Sequence, residues 1–204
     1  MHDPKEYQQL RFHPYNIALT LLLFSITALF LAFSAAYLYT RVQNPEIPTV
    51  TLPKIFILNT LILVGSSYSI NWATQCYLND DTENYTRALQ VTIVLTVIFM
   101  ILQSIGWNQL MGQMESHFLA SNLSSYLYLI SGLHFAHIVA GLPFLLLFLY
   151  AAHKRMKDPV SVLVYFSDPE KRLKLKLLTM YWHFLDVLWI YLVLFFLVNQ
   201  FVSI

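Results

Sequence analysis

Five stretches of this chain, Phe12 to Thr40, Ile55 to Asn79, Ala88 to Met114, Ser116 to His153 and Leu177 to Ile204, hold no lysine or arginine and only one carboxylate, Asp186. Each exceeds the roughly 20 residues that a helix rising about 1.5 Å per residue needs to cross hydrocarbon. None shows the strict alternation over about 10 residues that marks a barrel strand. The expected fold is all-α: a polytopic membrane bundle of five transmembrane helices at about 15–40, 54–78, 87–110, 123–152 and 175–202, forming one domain over 1–204. Composition agrees, with 57% hydrophobic and 11% charged residues and a mean hydropathy of +0.57. A soluble globule carries about 25% charged residues, so lipid must solvate much of this surface.

The connections fit that reading. Pro45, Pro48 and Pro53 break the chain before the second span, NDDTENYT reads as a short acidic turn, and Asn108 to Ser124 reads as a polar linker. The last connection, Lys154 to Lys176, contains VSVLVYF, too short to span and expected as an interfacial segment or short strand. Assigning cations to alternate sides of five spans puts Lys5, Arg11, Arg87, Lys154, Arg155, Lys157, Lys171, Arg172, Lys174 and Lys176 on one side and Arg41 and Lys54 on the other. The positive-inside rule then places the N-terminus in the cytoplasm and the C-terminus outside. The first apolar run is longer than the roughly 7–15 residues of a signal-peptide core and reads as a retained helix. A net charge of +1 without a basic aromatic patch gives nucleic acid no electrostatic footing, and the single Cys76 excludes an internal disulfide or multi-cysteine metal framework.

Small residues at helical spacing mark expected packing seams: Ala28, Ala32 and Ala36 in the first span, and Gly132, Ala136 and Ala140 in the fourth. Tyr37, Tyr39, Trp72, Tyr77, Trp107, Tyr126, Tyr128 and Tyr150 lie near span ends and read as interfacial anchors.

Ionisable groups inside a bilayer are expensive and therefore informative. His134 and His137 lie three apart in SGLHFAHIVAG, and His183 and Asp186 repeat the spacing in YWHFLDVLW, so each pair shares a helical face. Counting depth from span centres puts His137 and Asp186 within roughly 5 Å, which makes a hydrogen bond between them the expected pairing; His134 and His183 differ by roughly 13 Å. Haem or metal ligation needs convergent donors, yet His137 and His183 are staggered by about 9 Å in depth. The polar groups therefore read as buried glue, with no catalytic residue and no metal site in this chain.

YWHFLDVLWIYL, from Tyr181 to Leu192, resembles the final-helix signature of subunit III of the haem–copper terminal oxidases. SGLHFAHIVAG resembles that family's penultimate-helix pattern, and FSAAYLYTR, LNTLILVGSS and LQSIGW give weaker matches in the first three spans. The resemblance implies a non-catalytic subunit of the five-helix type that binds no haem or copper itself. Such a subunit packs against the catalytic subunit I, keeps it from inactivating, supports proton uptake, and holds phospholipid in its grooves. It implies partners in subunits I and II and other respiratory-complex subunits, haem and copper in those partners, and a home in the bacterial cytoplasmic (inner) membrane. His134, His137, His183 and Asp186, with Tyr181 and Trp182, fall on the family's buried polar and lipid-contact positions.

Two departures matter. Many members carry glutamate where this chain has Ile26 and Gly106, so a proton-antenna role for those carboxylates does not carry over. The alternatives are subunit III of a quinol oxidase, a haem-binding membrane electron carrier using His137 and His183, and a small proton-coupled transporter. The last would need a polar pathway and broken helices, and Pro143 is the one breaker inside a span.

Overall fold

A computed structural model describes residues 14–44, 52–114, 121–156 and 159–201. It contains α1 (Pro14–Gln43), α2 (Ile55–Leu78), α3 (Thr82–Met114), α4 (Ser121–Arg155), α5 (Pro159–Phe166) and α6 (Pro169–Phe201). All but α5 are long and apolar enough to cross a membrane. Among the described residues the chain is thus an all-α membrane bundle with five helices long and apolar enough to span. Lys5, Arg11, Lys157, Pro45 and Pro48, which the loop and charge assignments used, lie outside the described residues.

Several helices run further than the charge-free windows. A helix satisfies its own backbone whether lipid or headgroup surrounds it, so charge marks where hydrocarbon ends and not where the helix ends. TENYT therefore belongs to α3, and the acidic turn shrinks to Asn79–Asp81. Asp80 takes a positive φ of 55° and the Asp81 amide bonds back to the Cys76 carbonyl at 3.0 Å, closing α2 in a left-handed cap. Asp81 then caps α3: its Oδ1 accepts the Asn84 amide at 3.1 Å, and its carboxyl is held below its ordinary range by the Asn84 side chain. Asp168 repeats the device at α6, accepting the Glu170 amide at 3.0 Å ahead of Pro169 in the first helical position. The Asn108 to Ser124 linker is helical through Met114 and again from Ser121. Pro143 is carried inside α4 without ending it.

VSVLVYF is a helix, not a strand. Its β-branched residues favour a strand only where a partner ladder exists, and none flanks it among the described residues. Tyr165 and Phe166 turn inward and pack against Tyr77 and Tyr85, with the Tyr77 hydroxyl donating to the Tyr165 carbonyl at 3.0 Å. Leu163 and Val164 face outward.

Of the other four long helices, α1, α2 and α4 pack on α6, as does the short α5, while α3 packs on α2 and α4. One core runs through Phe30, Phe56, Phe99, Ile130, Trp189 and Phe196, and a second through Ile70, Tyr77, Leu89, Leu145, Leu178 and Trp182. Among the described residues the small-residue stripes lie mostly on exposed faces. Ala28, Ala32, Ala136 and Ala140 are exposed, Ala36 and Gly132 are half-buried, and a Cβ on Gly132 would meet nothing within 4 Å. The buried stripe of α1 is Ile26, Phe30, Ser34, Tyr37 and Arg41. Close approach is made elsewhere. A Cβ on Gly141 would sit 2.9 Å from Tyr181 Cε1 and 3.0 Å from Trp182 Cζ3, and one on Gly106 would sit 3.0 Å from Ile55 Cγ2.

Candidate functional site

In lipid, helices gain little from hiding apolar surface against one another, so hydrogen bonds and tight contacts decide how they associate. Four of those bonds come from indole and phenol groups of α6. Trp182 Nε1 donates to Ser66 Oγ at 3.1 Å and Trp189 Nε1 to Thr60 Oγ1 at 3.2 Å, both on α2. Tyr181 Oη donates to the His137 carbonyl on α4 and Tyr191 Oη to Ser34 Oγ on α1, each at 2.9 Å. Elsewhere Trp107 Nε1 donates to Ser131 Oγ at 3.0 Å, and Asn59 Nδ2 donates to Gln103 Oε1 at 3.0 Å. Tyr37 and Tyr77, expected at the interface, are buried, and Trp107 and Tyr128 bridge α3 and α4. Aromatic residues near helix ends look alike in sequence whether they face headgroups or a neighbouring helix.

The four ionisable groups do not converge. His134 is fully buried, its ring 5.1 Å from that of Trp189 and 6.2 Å from that of Phe99, and neither nitrogen has a hydrogen-bond partner among the described residues. His137 turns the other way, with Nδ1 2.6 Å from the Leu133 carbonyl of its own helix and its ring 6.0 Å from Phe30 of α1. His183 faces α2, where Ser67 Oγ lies 2.6 Å from Nδ1. Asp186 sits beside it, with Oδ2 3.9 Å from the same nitrogen, beyond hydrogen-bond distance. The expected pairing of His137 with Asp186 is therefore wrong: matched depth brought them level, but rotation about each helix axis aims one toward α1 and the other toward α2.

This arrangement does not fit a haem or metal held by these imidazoles. His137 and His183 contact different helices, and His134 is sealed between two aromatic rings. No group of three His, Cys, Asp or Glu side chains converges among the described residues. The electron-carrier alternative loses its axial pair on this geometry.

The site that does form is a cleft of about 390 Å³ between α2 and α6, lined by Val64, Ser67, Tyr68, Asn71, His183, Asp186, Val187 and Ile190. Its α2 half went unread in the sequence. Ser67 and Asn71 stand one turn apart on one face, and uncharged polar residues inside a span draw little notice beside a carboxylate. At the far end of the bundle Arg41 is buried and donates to the Asn199 carbonyl, and to Asn199 Oδ1 at 3.1 Å, tying α1 to α6. Arg41 was read only as a charge on one side of the membrane.

The comparisons with known proteins agree with the closing motifs. The model of the family described as cytochrome c oxidase subunit III matches residues 11–200. Cytochrome c oxidase subunit 3 of Synechocystis sp. is 30% identical over 182 residues, 84% of this chain and 70% of that protein. The same subunit of Spodoptera frugiperda is 28% identical over 141 residues, 68% of this chain and 85% of that one. The probable cytochrome c oxidase subunit 3 of Rickettsia felis is 28% identical over 148 residues, 72% of this chain but 49% of that protein, so the match spans about half the length of some relatives. With nearly every described residue inside the matched range, the chain belongs to the cytochrome c oxidase subunit III family.

Proposed function

We propose that this chain is an accessory subunit of a respiratory haem–copper oxygen reductase of the cytochrome c oxidase type. It packs against and stabilises the catalytic subunit I, with subunit II and other respiratory-complex subunits nearby. Haem and copper reside in the partners, and this chain contributes structure, bound phospholipid and support for proton-coupled electron transport. The single observation that carries this reading is the family match over residues 11–200, seconded by intramembrane histidines that point to different helices. Proton support runs without the two family glutamates. Ile26 is buried among apolar neighbours, and any side chain at Gly106 would press on Ile55 and Phe56.

The chain lies in the bacterial cytoplasmic membrane with its basic end, which holds Arg87, Lys154, Lys171, Arg172, Lys174 and Lys176, on the cytoplasmic side. Affinity purification of the tagged chain in mild detergent tests the reading. The expected preparation contains a larger haem-bearing polypeptide in fixed ratio, and the chain stripped of partners shows no haem absorption band. Stoichiometric haem on the stripped chain, or a tagged preparation without any haem polypeptide, would overturn it.

A further inference from the structure

We infer that the cleft between α2 and α6 seats a transmembrane helix of a neighbouring subunit, which places a hydrogen-bond-donating side chain against Asp186. This rests on the accessory-subunit reading and names the face that docks. Asp186 has a side chain only 7% exposed, and its Oδ2 has no hydrogen-bond partner among the described residues. The carboxyl lines the cleft together with Ser67, Tyr68, Asn71 and His183. Tyr68 is 77% exposed, so a phenol also projects from this face.

Depth decides what can satisfy these groups. Ser67 is near the middle of α2 and Asp186 near the middle of α6, each at least about 16 Å from either helix end at about 1.5 Å per residue. A phospholipid headgroup stays at the interface, and acyl chains offer no donor, so lipid leaves the Tyr68 phenol and the Asn71 amide unsatisfied at high cost and brings no donor to Asp186 Oδ2. A side chain carried on a spanning helix reaches that depth without such a cost. The cleft has room for side chains and not for a whole helix, so the partner helix rests across its rim. Leu61 and Val64 on α2 and Val187 and Leu194 on α6, all exposed, supply an apolar rim on the same faces.

The test uses the assembled oxidase in its own membrane. With p-benzoylphenylalanine in place of Tyr68, irradiation is expected to join this chain to a spanning segment of another oxidase subunit, located by peptide mass spectrometry. In parallel, Asp186→Leu is expected to lower the amount of chain retained per haem after a detergent wash about tenfold, with Asp186→Asn close to wild type, because the amide keeps a polar partner for the donor. If the complex co-purifies but the probe joins only acyl chains, a small lipophilic molecule or nothing, or if Asp186→Leu is retained like wild type, the docking face is wrong while the accessory reading stands. If no haem-bearing complex co-purifies, both fall.

Discussion

The first and last membrane helices are alike in length and apolar character, yet α6 is the most enclosed span of the bundle and α1 the least. The difference lies in where their polar atoms point. On α1, Thr20, Ser25 and Thr27 turn their hydroxyls back to carbonyls four residues earlier in their own helix. On α6, Trp182, Trp189, Tyr181 and Tyr191 send theirs outward to three different helices. Association in lipid follows groups that cannot be satisfied within their own helix, and apolar character alone does not place a helix at the centre.

The largest test of that contrast is removal of a central ring. Trp189→Ala deletes an indole packed on Phe56, Phe99 and His134 and frees Thr60, and it is expected to cost about 3–5 kcal/mol in detergent unfolding of the purified protein. Phe24→Ala on the outer face of α1 is expected to change stability by about 0.5 kcal/mol or less. Equal losses at the two positions would erase the distinction.

Gly141→Val sharpens it. The new side chain would push into Tyr181 and Trp182 and separate α4 from α6, lowering stability by about 1–3 kcal/mol in the same assay. Gly132→Ala, with open space around it, is expected to be silent. Arg41→Met asks how firmly α1 is held at its one buried cation. Loss of the bonds to Asn199 should cost about 1–3 kcal/mol and make the α1 end more open to proteolysis, read by limited digestion.

The smallest effect belongs to the caps outside the membrane. Asp81 and Asp168 are both held below the ordinary carboxylate range, Asp81 by the Asn84 side chain and Asp168 by Lys171. A depressed carboxyl stabilises the fold above its unfolded value, near pH 4, and that contribution is lost as pH falls through the lower folded value. Acid titration of stability should therefore show a shallow decline below about pH 4 that Asp81→Asn makes shallower still.

Much of the fold was legible because a bilayer punishes charge severely. Five windows without lysine or arginine left few alternatives to five helices, and the pattern around His183 and Asp186 pointed to the family. Rotation about each helix axis was not legible. Depth along an axis can be counted from residue numbers, so His137 and Asp186 were correctly level; the direction each faces depends on which neighbour fills the groove beside it. The alanine stripes teach the same point, since spacing shows that residues share a face but not which helix covers it. Gly141, the last residue of SGLHFAHIVAG, is where backbone and the rings of Tyr181 and Trp182 do meet.

By itself the sequence determined the number of spans and the family, because the energy of placing a charge in hydrocarbon depends on residue type and position along the chain. Only the tertiary structure decided the partners: His183 with Ser67, Arg41 with Asn199, His134 between Trp189 and Phe99. Those depend on how five cylinders are turned and set against one another, and in a solvent as apolar as their own surfaces that choice belongs to contacts between segments distant in the chain.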